Sequence, residues 1–254
     1  FLYFIATQAP PCQARTMSVN FHLKALPRAA ALRNAVRASQ EDTQRLEDEL
    51  FAEVLKTKPA PLVDAIVMSG PSGVGKGTII NRLMQDRPGE FSFCVSHTSR
   101  APRAGEVDGK NYHFSDKDTM KAMVERNEFL ECCEVHGNMY GTSVAALRDV
   151  QASGAMPLIE IDVQGAQKLK AAQGDKLRLC FIFIEAPSMD ELESRIVGRG
   201  QETGDKVKVR LATALKEMEF ANGNRAFFDR VLTNVDLERS LTELQRYFAV
   251  RCGV

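Results

Sequence analysis

The most constraining feature of this chain is a glycine-rich stretch, Gly70-Pro71-Ser72-Gly73-Val74-Gly75-Lys76-Gly77-Thr78, set between the apolar run Ala65-Ile66-Val67-Met68 and a helix-forming run that starts near Thr78. The order predicts a strand, a tight loop and a helix. Glycine at 70, 73 and 75 lets the backbone turn sharply and aim successive N–H groups inward, where a chain of phosphates can accept them at the positive end of the helix. Lys76 then supplies a mobile cation for the outer phosphates. The usual pattern places Ser or Thr directly after the lysine, to ligate magnesium through its hydroxyl. Here Gly77 occupies that place and Thr78 follows. Magnesium is therefore expected to be held mainly by phosphates and waters. A glycine turn without a ligand is the alternative, and the strand before it and helix after it count against that.

The 33 Lys plus Arg balance 33 Asp plus Glu, so no global field marks the chain as a nucleic-acid binder. Apolar runs such as Leu177–Ala186 are broken by charge and too short to span a bilayer. The 6 cysteines show neither CxxC nor zinc-ligand spacing and read as free thiols. Charge must act locally, in particular loops.

Residues 1–40 contain no Asp or Glu but carry Arg15, Lys24, Arg28, Arg33 and Arg37 beside an apolar helical face. That composition predicts an organelle transit peptide, with a disordered tail as the alternative and Met17 as an alternative initiator. Mitochondrion and plastid both fit such a leader; the cytoplasm is the other option. A short helix over 41–56 and a stiff Pro59-Ala60-Pro61 linker precede a catalytic domain over 62–252.

After the loop, a helix over Thr78–Met84 and a strand over Phe91–Val95 lead to the polar stretch Ser96-His97-Thr98-Ser99-Arg100-Ala101-Pro102-Arg103-Ala104-Gly105-Glu106, read as a loop. Arg100 and Arg103 can converge there on one phosphate, with Tyr112 nearby. A helix over Asp116–Arg126 and a hairpin, Phe129–Val135 returning through Met139–Thr142, come next. Glu131 lies in that apolar strand. Guanine's N1–H and 2-amino group are the donor pair a buried carboxylate would need, but spacing alone favours an ordinary exposed glutamate. Val144–Ala152 reads as helix and Met156–Val163 as an apolar strand ending in Glu160-Ile161-Asp162, with Asp162 the candidate for holding a magnesium-bound water. A strand over Leu177–Glu185 and a helix over Ser188–Arg199, capped by Ser188, precede a glycine-rich segment from Gly198 to Asp205 flanked by Arg195 and Arg210. It reads as a lid over polyphosphate or as a solvated helix-turn-helix. A helix over Lys206–Phe220, a strand over Phe228–Leu232 and a helix over Leu237–Phe248 close the chain.

From about Ile66 to Phe248 these motifs together resemble the guanylate kinases. The phosphate loop, the run Ser96–Val107 with Gly109-Lys110-Asn111-Tyr112, then Glu131, Tyr140-Gly141-Thr142-Ser143 and Glu160-Ile161-Asp162-Val163-Gln164-Gly165 follow the family's order and spacing. The resemblance implies an α/β fold: a P-loop NTPase-type parallel β-sheet core flanked by helices, a small α+β GMP-binding insert and a helical lid. The implied boundaries are core 62–93 and 143–197, insert 94–142, lid 198–209 and C-terminal core 210–252. It implies ATP on Gly70, Pro71, Ser72, Gly73, Val74, Gly75, Lys76, Gly77 and Thr78, with Asn234 near adenine. Arg100, Arg103, Tyr112 and Tyr140 would hold the GMP phosphate, with Glu106 orienting the arginines. Ser96, Glu131 and Thr142 would read guanine, and Glu160 and Asp162 would lie near the GMP ribose or base and the magnesium. Lys76, Arg195, Arg199 and Arg210 would neutralise the transferring phosphoryl group. Mg2+ is the expected cofactor, with Thr78 or Asp162 as its candidate protein ligand. Glu160 stands where the family more often has Asp.

The implied reaction is transfer of the γ-phosphoryl group of ATP to GMP, and to dGMP, by a monomer with no nucleic-acid or membrane partner. Two rivals are a scaffold domain that keeps the GMP-phosphate pocket but has lost catalysis, and a nucleotide switch. Lys76 and the arginines oppose the first; Gly77 opposes the second.

Overall fold

Ala65–Ser69 forms β1, and every one of its residues is buried. A strand with no polar face has to be covered on both sides, which places it inside a parallel sheet. In the computed structural model, which describes residues 49, 51–53, 56–57, 61–198 and 204–254 (204–206 as backbone only), β1 pairs in parallel with two such strands. Phe91–Phe93 (β2), Met156–Glu160 (β7), Leu179–Glu185 (β8) and Arg230–Thr233 (β9) complete a five-stranded sheet of order β2-β7-β1-β8-β9, parallel throughout. The leader read over 1–40 and Arg199 lie outside the described residues. Of the short helix read over 41–56, residues 49, 51–53 and 56 are helical.

A second, four-stranded sheet is inserted after β2. Its strands are His97–Thr98 (β3), His113–Phe114 (β4), Phe129–Val135 (β5) and Asn138–Ser143 (β6), in the order β4-β3-β6-β5. The β5–β6 hairpin turns at His136 and Gly137, both with positive φ (50° and 77°), the conformation a two-residue turn requires. β3 was not anticipated: the polar run was read as loop. Its ladder comes from tertiary pairing of His97 and Thr98 with Gly141 and Tyr140, which local propensity does not reveal.

The helices are Lys76–Asp86 (α1), Lys117–Glu125 (α2), Val144–Ala152 (α3), Val163–Gln173 (α4), Met189–Gly198 (α5), Gly204–Gly223 (α6) and Leu237–Cys252 (α7). Several boundaries differ from the sequence reading. α1 starts two residues earlier than expected, because Gly75 in the left-handed region delivers the loop directly into the helix. The apolar strand ends at Glu160, and Asp162 caps α4 by accepting from the Gly165 N–H at 2.7 Å. α4 itself went unread because its apolar residues continue the run of β7. Asp116, Ser143 and Ser188 cap α2, α3 and α5 in the same way.

By backbone contacts the chain divides into one unit of residues up to Val63 with Leu241–Val254, and a second, Asp64–Ser240. The first is tied internally by Leu62 N–H donating to Cys252 O at 2.8 Å. The second holds the core around Val67, Ile159, Phe181, Phe183 and Phe228. Cys94, Cys132, Cys133, Cys180 and Cys252 are free thiols, and no helix among the described residues is long and apolar enough to cross a membrane. Phe183, fully buried at the centre of β8, sets the sheet that carries the loop. Phe183→Ala is expected to lower stability by about 3–5 kcal/mol, read as a lower urea midpoint with an unchanged slope.

Candidate active site

The loop after β1 is wrapped so closely that glycine is obligatory at two of its turns. Gly70 has φ 144°, and a Cβ there would sit 2.1 Å from the Ile184 carbonyl oxygen; at Gly75, with φ 102°, it would meet the Asn234 amide at 2.7 Å. Asn234 fastens the loop from outside. Its amide donates to Val74 O at 2.8 Å and its Oδ1 accepts from Ser240 Oγ at 3.0 Å. Arg195 adds donors to Val74 O (3.4 Å) and Asn234 O (3.1 Å) and pairs with Glu191 at 2.9 Å. Together with Gly73, Gly75, Thr78 and Val235, these two residues border a cleft of about 460 Å³.

On the other side of the loop lies a larger cleft, about 710 Å³. Lys76 enters it with Nζ donating to Gly70 O at 2.6 Å and Pro71 O at 3.1 Å, and 3.9 Å from Glu160 Oε1. Arg210, from α6, reaches over with Nη1 3.3 Å from Ser72 Oγ. Gly77 is not a steric necessity: a Cβ on it would come no closer than 3.9 Å, to Glu160 Oε2.

The inserted sheet builds the opposite wall. Arg100 makes a two-pronged pair with Glu106, 2.6 Å on each side, and Glu106 also accepts from the Arg103 backbone N–H at 2.7 Å. The guanidinium lies over the Tyr112 ring at 4.8 Å, and Tyr140 packs against Tyr112 at 6.1 Å. The hydrogen bonds from Arg100 hold the Glu106 carboxyl below its ordinary range, while Glu106 raises the guanidinium further. Both stay charged. Arg100, Arg103, Tyr112 and Tyr140 all line the large cleft.

Glu131 lines the same wall and is not exposed: 5% of its surface reaches solvent. One oxygen accepts from the Thr142 backbone N–H at 2.9 Å, and Thr142 Oγ1 stands 3.4 Å from Ser96 Oγ. Burial pushes the carboxyl up to about 7; hydrogen bonds from Thr142 oppose this and the Asp162 charge reinforces it. Asp162 and Glu160 border the same cleft. Thr142 and Glu106 stand behind the lining as supports, and Asn234, Thr78 and Arg195 belong to the smaller cleft.

The sequence reading missed several cleft residues, Glu217 and Cys133 among them. Each had a signal. Thr213 and Glu217 recur on the helical face that carries Arg210, and Cys133 shares Glu131's face of β5 because strand side chains alternate. Burial pushes Glu217 up to about 7 as well, opposed by the charge of Lys76. Among the described residues no three His, Cys, Asp or Glu side chains converge as metal ligands.

Residues 63–250 match the family model described as guanylate kinase. The chain is 44% identical over 185 residues to "Guanylate kinase 1" of Oryza sativa subsp. japonica, covering 73% of this chain and 47% of that protein. It is 37% identical over 205 residues to "Guanylate kinase" of Schizosaccharomyces pombe, covering 80% and 96%. It thus spans about half the length of the first curated relatives it matches. The crystal structure of guanylate kinase from Anaplasma phagocytophilum superimposes with a TM-score of 0.56 at 31% identity, over 72% of this chain and 82% of that one.

A buried carboxyl raised from 4.5 to about 7 binds more protons folded than unfolded between those values. Its contribution is therefore most favourable below pH 4.5 and declines as pH rises to about 7. Glu131→Gln is expected to remove that decline, up to about 3 kcal/mol. Urea unfolding of both proteins across this range checks it. Glu217 contributes its own decline to both, so the difference between them is the readout.

Proposed function

The chain belongs to the guanylate kinase family, and from that premise we propose that it transfers the γ-phosphoryl group of ATP to GMP, giving ADP and GDP. The observation that carries the reading is the single cleft bounded by Lys76 on one wall and by Glu131 with Arg100, Arg103, Tyr112 and Tyr140 on the other. A loop built for polyphosphate faces a second phosphate site joined to a buried acceptor.

GMP would place its phosphate on Arg100, Arg103, Tyr112 and Tyr140, with Glu106 holding Arg100 in shape. Guanine would give its N1–H and 2-amino donors to Glu131, beside Ser96 and Thr142. Adenine has no N1–H, so it would leave a desolvated carboxylate unpaired, at a cost of about 3 kcal/mol or more. ATP would lay its phosphates along Gly70–Thr78, its adenine toward the smaller cleft by Asn234. In this structure Asn234 donates one amide N–H to Val74 O and accepts from Ser240 through Oδ1, which fixes the side chain at the border of that cleft.

In the chemical step an oxygen of the GMP phosphate attacks the γ-phosphorus. The bond to the β–γ bridging oxygen breaks, and its electron pair leaves with ADP. No strong base is required, because the acceptor is already an anion; catalysis is positioning and charge neutralisation in a water-poor site. Lys76, Arg195, Arg199 and Arg210 are assigned the neutralising role, Arg210 and Arg199 from a lid over 198–209. Mg2+ would be held mainly by nucleotide phosphates and water, with Thr78 or Asp162 as its protein ligand, and would offset charge between the phosphates. Small-molecule nucleotides are the partners and a monomer is the working state. The acid-free composition of residues 1–40 supports a mitochondrial or plastid location, with the cytoplasm as the alternative.

The test is ADP release by the full chain with ATP and magnesium, offered GMP or AMP. GMP should support turnover and AMP less than about 1% of it, with Lys76→Ala lowering kcat at least about 100-fold and Glu131→Gln lowering kcat/KM for GMP by about 100-fold. GMP binding without ADP release would sink the kinase reading and make the pocket a recognition module.

A further inference from the structure

Cys133 occupies a place that no phosphate or base assignment uses. It lies two residues beyond Glu131 on β5, so both side chains project from one face of the strand. Its sulfur is 3.7 Å from Glu131 Oε2 and 3.8 Å from Asp162 Oδ1, within reach of a thiol hydrogen bond to either. It is 6% exposed and lines the large cleft.

The two carboxylates it touches are otherwise fixed from opposite sides. Glu131 Oε1 accepts from Thr142 N–H, and Asp162 Oδ1 accepts from Gly165 N–H as the cap of α4. Gly165 closes the wall behind them. A Cβ there would lie 3.1 Å from Glu131 Oε2 and 3.3 Å from Asp162 Oδ1, so both oxygens come this close to the backbone only because residue 165 has no side chain. Two carboxyl groups therefore converge with one weak donor between them. Without that donor their repulsion acts on the less constrained partner, the Oε2 end of Glu131.

We propose that Cys133 is a positioning residue for base recognition: its S–H bridges Glu131 and Asp162 and keeps the Glu131 carboxylate in the plane that accepts two donors from a purine edge. The thiol is not the reactive group. Its sulfur is shut away from solvent and faces two acceptors, so it enters as an S–H donor. Removing the donor weakens capture of the base, while Lys76 and the arginines, held by other partners, keep their places. The inference rests on the reading of Glu131 as the guanine acceptor.

Three variants separate donor from volume: Cys133→Ser keeps a donor, Cys133→Ala removes it, and Cys133→Val removes it while filling the space. Steady-state ADP release by the full chain is measured with GMP varied at saturating ATP and the reverse. Cys133→Ala and Cys133→Val should raise KM for GMP roughly threefold to tenfold, with kcat and KM for ATP within about twofold of the parent. Cys133→Ser should stay within about twofold on all three constants. If Cys133→Ala matches the parent, or Cys133→Ser is impaired as much as Cys133→Val, the thiol is packing only and the proposal is wrong. Should Cys133→Ala fail to fold, the Ser and Val pair decides alone. Absence of GMP-dependent turnover in the parent chain overturns the functional reading first, and this proposal with it.

Discussion

The phosphate loop approaches the ends of its neighbours more closely than any side chain would permit, and the rest of the site depends on that contact. Gly70 presses its Cα face against the Ile184 carbonyl at the end of β8, and Gly75 does the same against Asn234, just past β9. The cost of glycine is chain entropy. What it secures is a loop whose path is fixed by its packing. Asn234 and Arg195 both bind Val74 O, so α5 and the β9 exit hold the loop in place. Lys76, at the first turn of α1, inherits its position from this clamp.

Opposite it, the inserted sheet is built around a different constraint, the burial of charge. Arg100 is neutralised by Glu106 in a two-pronged pair and covered by Tyr112, and it still lines the cleft. Glu131 has no cation of its own. One oxygen accepts a backbone N–H and the other only the weak Cys133 thiol, so its burial carries a cost in stability. The same logic gives Cys133 and Gly165 their places, one supplying a donor between two carboxylates and the other the absence of a side chain behind them.

Much of the architecture was legible because its signals are local. The five apolar residues of β1, the alternation of the β5–β6 hairpin and the Ser and Asp caps each declare themselves within a few residues. The misreadings are of boundaries, one set by a distant partner and one by a local cap lying inside an apolar run. β3 exists because Gly141 and Tyr140 pair with it. The apolar run over 156–163 divides at Glu160 because Asp162 turns to cap α4.

By itself the sequence determined the order of strand, loop and helix around Gly70–Lys76, the kinds of side chain available to phosphates, and, through motif spacing, the family. These follow from backbone permissiveness and periodicity, which act over a few residues. Whether Glu131 was buried or exposed could not be settled by spacing, which favoured exposure; the packing of α4 and β6 against β5 decided it. Likewise only the tertiary structure brought Glu217 to the cleft and set Cys133 between two carboxylates, because charge and burial depend on which remote groups share a dry space, and chain order does not carry that distance.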